Sequence, residues 1–154
     1  MPSITHFEIY KPAEPCSYTG EKLREIMEKI IAETLTPDGK DLSLKGYCIG
    51  PNGMTILCRD ERVAKVKRLN LGGNRIGDDG VKAIAESDVL GNLRNLNLAS
   101  NSISDVGATY LATSKKLIKL RSLQLVINDI SEEGEKVLRN STDLKSLSLL
   151  KFRV

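Results

Sequence analysis

The chain has 154 residues, 28% of them charged and 40% hydrophobic, with a formal net charge of +3. That length suits one domain with a contiguous core, and so small a charge does not argue for nucleic acid as partner. Aromatics make up 4% and tryptophan is absent, so the core must be aliphatic, and no apolar run reaches the roughly 18 residues of a membrane span.

In chain order, residues 1–18 hold three prolines and read as extended. Met1 to Tyr10 lack the basic start and apolar stretch of a secretory leader, so the expected location is the cytosol. Residues 20–35 read as an amphipathic helix with Leu23, Ile26, Met27, Ile30 and Ile31 on one side. This helix belongs to an N-terminal segment, residues 1–38, that caps the rest of the chain.

From residue 39 to 154 a period takes over. Ile49, Ile76, Ile103 and Ile130 are 27 apart, as are Gly53, Gly80, Gly107 and Gly134. The pairs Leu42/Leu44, Leu69/Leu71, Leu96/Leu98 and Leu123/Leu125 keep that period, and so do Asn74, Asn101 and Asn128. Each L-x-L alternation makes a short strand with its leucines on one face. The asparagine serves backbone groups where the chain leaves the strand. A helix must come next, because parallel neighbours need a crossover. Ser104 and Ser131 stand where N-caps belong, Pro51 falls at a first helical position, and Asp78, Asp79, Asp105, Glu132 and Glu133 lie in first turns. Leu57, Ile84, Leu111 and Leu138 form the inward helix column. In the first unit Tyr47 replaces the asparagine. In the last, Leu144-x-x-Leu147-x-Leu149 comes after Leu120-x-x-Leu123-x-Leu125 at a spacing of 24, which reads as a truncated repeat with Phe152 in the asparagine column. Terminal repeats are expected to be atypical.

The fullest copy, Leu93-x-x-Leu96-x-Leu98-x-x-Asn101-x-Ile103, resembles the leucine-rich-repeat family in its longer, ribonuclease-inhibitor-like form. The resemblance covers residues 39–154. It implies an α/β fold: a right-handed solenoid of four repeats plus a truncated one, parallel strands on the concave side and helices on the convex side. It also implies a non-enzymatic, protein-binding module that can inhibit an enzyme by covering its active site. Small arrays of this kind are similar to effectors of intracellular bacterial pathogens, some of which restrain other effectors in the host cytosol. Glu132, Glu133 and Glu135 resemble the acidic secretion signals of that group. The alternative implied by the same family is an adaptor, or a GTPase-regulating fragment of a longer protein.

Chemistry has few candidates. His6 is the one histidine and has no placed acid or nucleophile beside it. Cys16, Cys48 and Cys58 are odd in number and lack a C-x-x-C pair, so neither a disulfide framework nor a zinc site is expected, and a reducing compartment fits. Cys58 shares the small inward column of Ala85 and Ala112, whereas Cys48 falls in a turn and is expected to be exposed. Gly72-Gly73-Asn74 and Gly77-Asp78-Asp79-Gly80 lack phosphate-loop and calcium-loop spacing. Asn140-Ser141-Thr142 matches a glycosylation acceptor, which the absence of a leader makes accidental. No catalytic residue, metal or cofactor is assigned.

The solvent side of the strands is the better guide. Position three of the repeat reads Asp41, Arg68, Asn95, Ser122, Ser146; position five reads Ser43, Asn70, Asn97, Gln124, Ser148; position seven reads Lys45, Gly72, Ala99, Val126, Leu150. The centre is rich in amides, and Val126, Ile127 and Leu150 gather in one apolar cluster, either an interaction patch or a surface that the short last repeat folds over as a cap. Position two is basic throughout: Lys40, Lys67, Arg94, Arg121, Lys145. The candidate partner-binding residues are therefore Arg68, Asn70, Arg94, Asn95, Asn97, Arg121, Gln124, Val126, Lys145 and Leu150. The expected partner is a folded protein with an acidic surface, neither nucleic acid nor membrane, and the chain alone is expected to be a monomer.

Overall fold

The computed structural model describes residues 14–154. His6 lies outside the described residues, as does most of the stretch expected to be extended. Within it, Pro15–Ser17 form a single 3-10 turn. Helix α1 spans Gly20–Thr34 and buries Leu23, Met27, Ile30 and Ile31 against the first repeat, leaving Ile26 half-covered. Five strand units come after it. Strand β1 is Asp41–Ser43 with helix α2 at Gly50–Leu57; β2 is Arg68–Asn70 with α3 at Gly77–Glu86. Strand β3 is Asn95–Asn97 with α4 at Asp105–Ala112; β4 is Ser122–Gln124 with α5 at Glu132–Arg139; β5 is Leu149–Lys151.

The strands make one parallel sheet in chain order, β1 to β5, and each joins the next through a helix. The fold is therefore an α/β solenoid with an open sheet. Its core is the recurring columns. Leu42, Leu69, Leu96 and Leu123 are buried, as are Leu44, Leu71, Leu98 and Leu125 and the helix column Leu57, Ile84, Leu111 and Leu138. Ile49, Ile76 and Ile103 are fully buried; Ile130, expected to match them, is only half-buried because it belongs to the end of the stack.

Two side-chain ladders lock the repeats together. Asn101 donates from Nδ2 to the carbonyls of Leu71 and Ala99, and its Oδ1 accepts from the N–H groups of Asn74 and Ile76. Asn74 and Asn128 make the equivalent bonds one repeat either side. On the convex side, Ser87 donates to Cys58 O, Ser114 to Ala85 O and Ser141 to Ala112 O. The helix-start aspartates also reach forward. Asp78 accepts from the backbone of Ser104 and Gly107 and from the Ser104 hydroxyl, and Asp105 accepts from the Ser131 backbone and hydroxyl. Ser104 caps α4 as expected, through Val106 N–H; Ser131 instead gives its hydroxyl to Asp105 and makes no cap bond to its own helix.

The turn after each strand passes through the left-handed region. Gly46 (φ 74°), Gly73 (φ 66°), Ser100 (φ 55°) and Ile127 (φ 56°) occupy the same position. Glycine takes this conformation freely, but a β-branched residue there is strained.

The last repeat corrects its expected register. Strand β5 pairs Ser122 with Leu149, Leu123 with Leu150 and Gln124 with Lys151, so the period stays at 27. Leucines spaced by three satisfy two frames at once, and strand pairing selects the one that keeps Leu117 and Leu144 in one buried column. Phe152 consequently sits in the leucine column of Leu125, not in the asparagine column.

The cysteine reading is corrected as well. Cys16 and Cys48 form a disulfide across 32 residues, with their Cα atoms 5.6 Å apart. Cys48 is buried rather than exposed. The N-terminal segment runs back along the first repeat, where Cys16 N–H donates to Cys48 O at 2.8 Å. Proximity of this kind comes from the fold and leaves no spacing signal. With two of the three cysteines bonded, the cysteine count does not point to a reducing compartment. No helix among the described residues is long and apolar enough to cross a membrane.

Candidate partner-binding site

Alternation along each three-residue strand puts the central leucine into the core and its two neighbours on the concave side. The result is a trough of about 290 Å³ that crosses β1 to β4 and is lined chiefly by Asp41, Ser43, Arg68, Asn70, Asn95, Asn97, Ser122 and Gln124. Of the expected site residues, Arg68, Asn70, Asn95, Asn97 and Gln124 meet here.

The amides are not free to turn. Asn70 Oδ1 accepts from Gly72 N–H and Asn97 Oδ1 from Ala99 N–H, both at 3.0 Å. Each carbonyl is thus committed to its own strand exit, and each NH₂ is left to face the trough as a donor. Arg68 is less available than expected. Its Nε and Nη2 donate to the two oxygens of Asp41, and this guanidinium bond, the largest cause, holds the Asp41 carboxyl below the usual carboxylate range.

Position two lines the edge where the chain enters each strand. Lys40, Lys67, Arg94 and Arg121 hold that row, and none of them makes an ion pair among the described residues. Lys145 is not part of it: in the observed register Ser148 takes that place, and Lys145 lies three residues earlier in the loop. Leu150 is likewise not on the concave face. It pairs with Leu123 and packs half-buried against the core. Position seven is not an apolar patch either. Val126 is 5% exposed, because the ladder continues past the strand and Ser100 N–H binds Val126 O, tucking this residue between stacked turns. The exposed apolar side chains nearby are Ile127 (69%) and Leu149 (59%). Corrected, the concave rows end in Leu149 and Lys151. Leu149 is missed from sequence alone because the shorter leucine spacing assigns it to the core.

Features elsewhere carry less chemistry. Burial pushes the Cys58 thiol up to about 12, so it is a core group and no nucleophile. Glu14, Cys16 and Cys48 bring ligand-type atoms within 4.8 Å of one another, but both sulfurs are committed to the disulfide. Asp78 and Asp79 hold no calcium-like ring; Asp78 is spent on Ser104 and Gly107.

A Leucine Rich repeat family model matches this chain twice, over residues 64–85 and 92–112. These spans run from the entry of β2 through α3 and from the entry of β3 through α4, the two most regular units. No curated protein matches the chain significantly.

Proposed function

We propose that this leucine-rich-repeat arc is a recognition module that docks a folded, acidic protein on its concave strands and strand-entry edge. Leucine-rich repeats are in general protein-interaction modules, and nothing in the described residues assembles a nucleophile, base and orienting group. One observation supports the reading most. The concave face offers amide donors held in one orientation, Asn70 and Asn97, beside a row of cations, Lys40, Lys67, Arg94 and Arg121, that make no ion pair among the described residues. Such a surface is rich in donors and poor in acceptors, and its complement carries carboxylates and carbonyl oxygens. The cations speed encounter and make it sensitive to salt, while the trough contacts set the lifetime of the complex.

When the docked protein is an enzyme, the arc would act by covering its active site, the use implied by the ribonuclease-inhibitor-like resemblance, and this would include one bacterial effector restraining another. The test compares capture of protein partners by the intact chain and by three variants. The paired change Arg94→Glu with Arg121→Glu should slow association and reduce its salt dependence. Asn97→Asp, which turns a donor into an acceptor, should speed dissociation. Lys82→Glu on the convex side should change neither. Loss of binding in the convex variant with retention in the concave ones would place the partner on the helices and end this reading.

A further inference from the structure

The segment before α1 is fastened to the first repeat by more than its sulfurs. Pro15 is buried, and the turn Pro15–Ser17 closes with Ser17 N–H on Glu14 O and Tyr18 N–H on Pro15 O. Cys16 N–H donates to Cys48 O, and a Cβ added at Gly50 would stand 3.3 Å from that of Cys16. Cys48 is held from the other side, because the next two N–H groups, of Ile49 and Gly50, bind Asn74 Oδ1 and Asn74 O. None of these bonds involves sulfur. Opening the disulfide therefore leaves the two cysteines facing one another, with Cα atoms 5.6 Å apart.

Cys48 does not belong to a core column. One and two periods on, its place is taken by Arg75 and Ser102, both exposed and in the same left-handed backbone conformation. The position points outward, and the segment that carries Cys16 covers it. Cys58 differs, since its column of Ala85 and Ala112 is buried throughout. The same turn brings in an acid: one carboxylate oxygen of Glu14 and the two Sγ atoms lie within 4.8 Å of one another.

From this cluster we infer a second state of the strap, in which Glu14, Cys16 and Cys48 of the reduced chain bind one Zn²⁺ through Oε and the two Sγ atoms, with water as fourth ligand. The donor set selects the metal. Ca²⁺ and Mg²⁺ take oxygen ligands, and iron–sulfur clusters need more cysteines, whereas Zn²⁺ accepts thiolate and carboxylate together. The geometry suits it as well. Tetrahedral Zn–S bonds of about 2.3 Å set two sulfurs about 3.8 Å apart, a separation that rotation about the two Cα–Cβ bonds supplies. Cys48 stands just before α2, whose N-terminal dipole favours the thiolate. Cys16 is exposed, so reductant, metal and water all reach the site.

The chemistry has two steps. A dithiol gives two electrons and two protons to the S–S bond and becomes a cyclic disulfide, leaving Cys16 and Cys48 as thiols. Zn²⁺ then displaces both thiol protons to solvent as two Zn–S bonds form, and the ionised Glu14 carboxylate adds a third bond. The strap is closed by a covalent bond in oxidising surroundings and by a metal in reducing ones. Helix α1, which begins at Gly20, stays fastened over the first repeat in both.

The test reduces the full chain with a phosphine, which becomes phosphine oxide with oxygen from water as the two thiols form, and titrates it with zinc chloride or cobalt chloride. Calorimetry should show one Zn²⁺ bound per reduced chain and none per oxidised chain. Co²⁺ should give a sulfur-to-metal charge-transfer band and the intense visible bands of a four-coordinate site. Zn²⁺ should also return part of the melting temperature that reduction removes. Cys16→Ser and Cys48→Ser should abolish uptake, and Cys58→Ala should leave it unchanged. Glu14→Gln should weaken it by at least the roughly tenfold that loss of a supporting group costs. Circular dichroism reports that each variant is folded; if a cysteine variant is not, the cobalt spectrum of the native chain and the Glu14→Gln affinity decide. Less than one Zn²⁺ per reduced chain, equal uptake by the oxidised chain, a cobalt spectrum without the sulfur band, or undiminished affinity in Glu14→Gln overturns the inference.

Discussion

Replacing Asn101 by alanine removes a side chain that is fully buried and makes four hydrogen bonds with backbone. The four do not count equally. Leu71 O keeps a bond from Asn74 Nδ2, and Ala99 O keeps one from Gly73 N–H, so neither acceptor is orphaned. Asn74 N–H, at 2.9 Å, and Ile76 N–H, at 3.4 Å, lose Asn101 Oδ1 and gain nothing. A buried donor left without a partner costs about 1–3 kcal/mol. Two of them, the second poorly aligned from the start, put the expected loss at about 2–5 kcal/mol. That is a large part of the roughly 5–15 kcal/mol by which domains are stable. With a urea slope of about 2 kcal/mol/M, the unfolding midpoint should fall by about 1–2.5 M. Asn128→Ala is the internal control. Its amide makes the same bonds, but it stands half-exposed at the end of the ladder where water can replace it, so its loss should be about 1 kcal/mol or less. Equal losses at the two positions, or a change at Asn101 under about 0.5 kcal/mol, would refute the reasoning that burial sets the worth of this ladder.

The same packing sets further outcomes. Replacing both Cys16 and Cys48 by serine opens a crosslink that spans 32 residues, and the loss of loop constraint should cost about 3–4 kcal/mol; a dithiol reductant should lower the melting temperature of the native chain and leave that variant unchanged. Ile127→Asn should raise stability by about 1 kcal/mol, because asparagine tolerates the left-handed turn that strains isoleucine; calorimetry at low concentration that shows a loss instead would mean the strain is not there. The Asp41, Asp60 and Asp105 carboxyls are held below their ordinary value, chiefly by side-chain bonds from Arg68, Arg62 and Ser131 respectively. Their folded pKa values lie under the unfolded ones, so their stabilisation is complete above about pH 4 and is lost as pH falls through the lowered values. Melting temperature should be flat toward neutral pH and drop in acid, with a smaller drop in Asp105→Asn.

The repeat itself was legible because burial recurs at a fixed interval. A column such as Leu69, Leu96 and Leu123 leaves a mark in the sequence wherever one structural unit stacks on the next, and the strands, the helices, their order and the inward faces all come from it. The amide rows were legible for the same reason: Asn70 and Asn97 alternate with core leucines and had to face the other way. Tertiary structure decided what no local pattern holds. Leu147, Leu149 and Leu150 satisfy more than one frame, and only pairing of β5 with β4 shows that Leu150 turns inward, that Leu149 takes the concave row and that Lys145 leaves the basic one. Val126 looked solvent-facing by alternation, but alternation ends with the strand, and stacked turns beyond it bury the side chain. Cys16 and Cys48 meet because the N-terminal segment doubles back over the first repeat, a contact between residues 32 apart with no periodic partner. Periodic burial is written locally and repeatedly; register at an end, and contacts made once, exist only when the chain is folded.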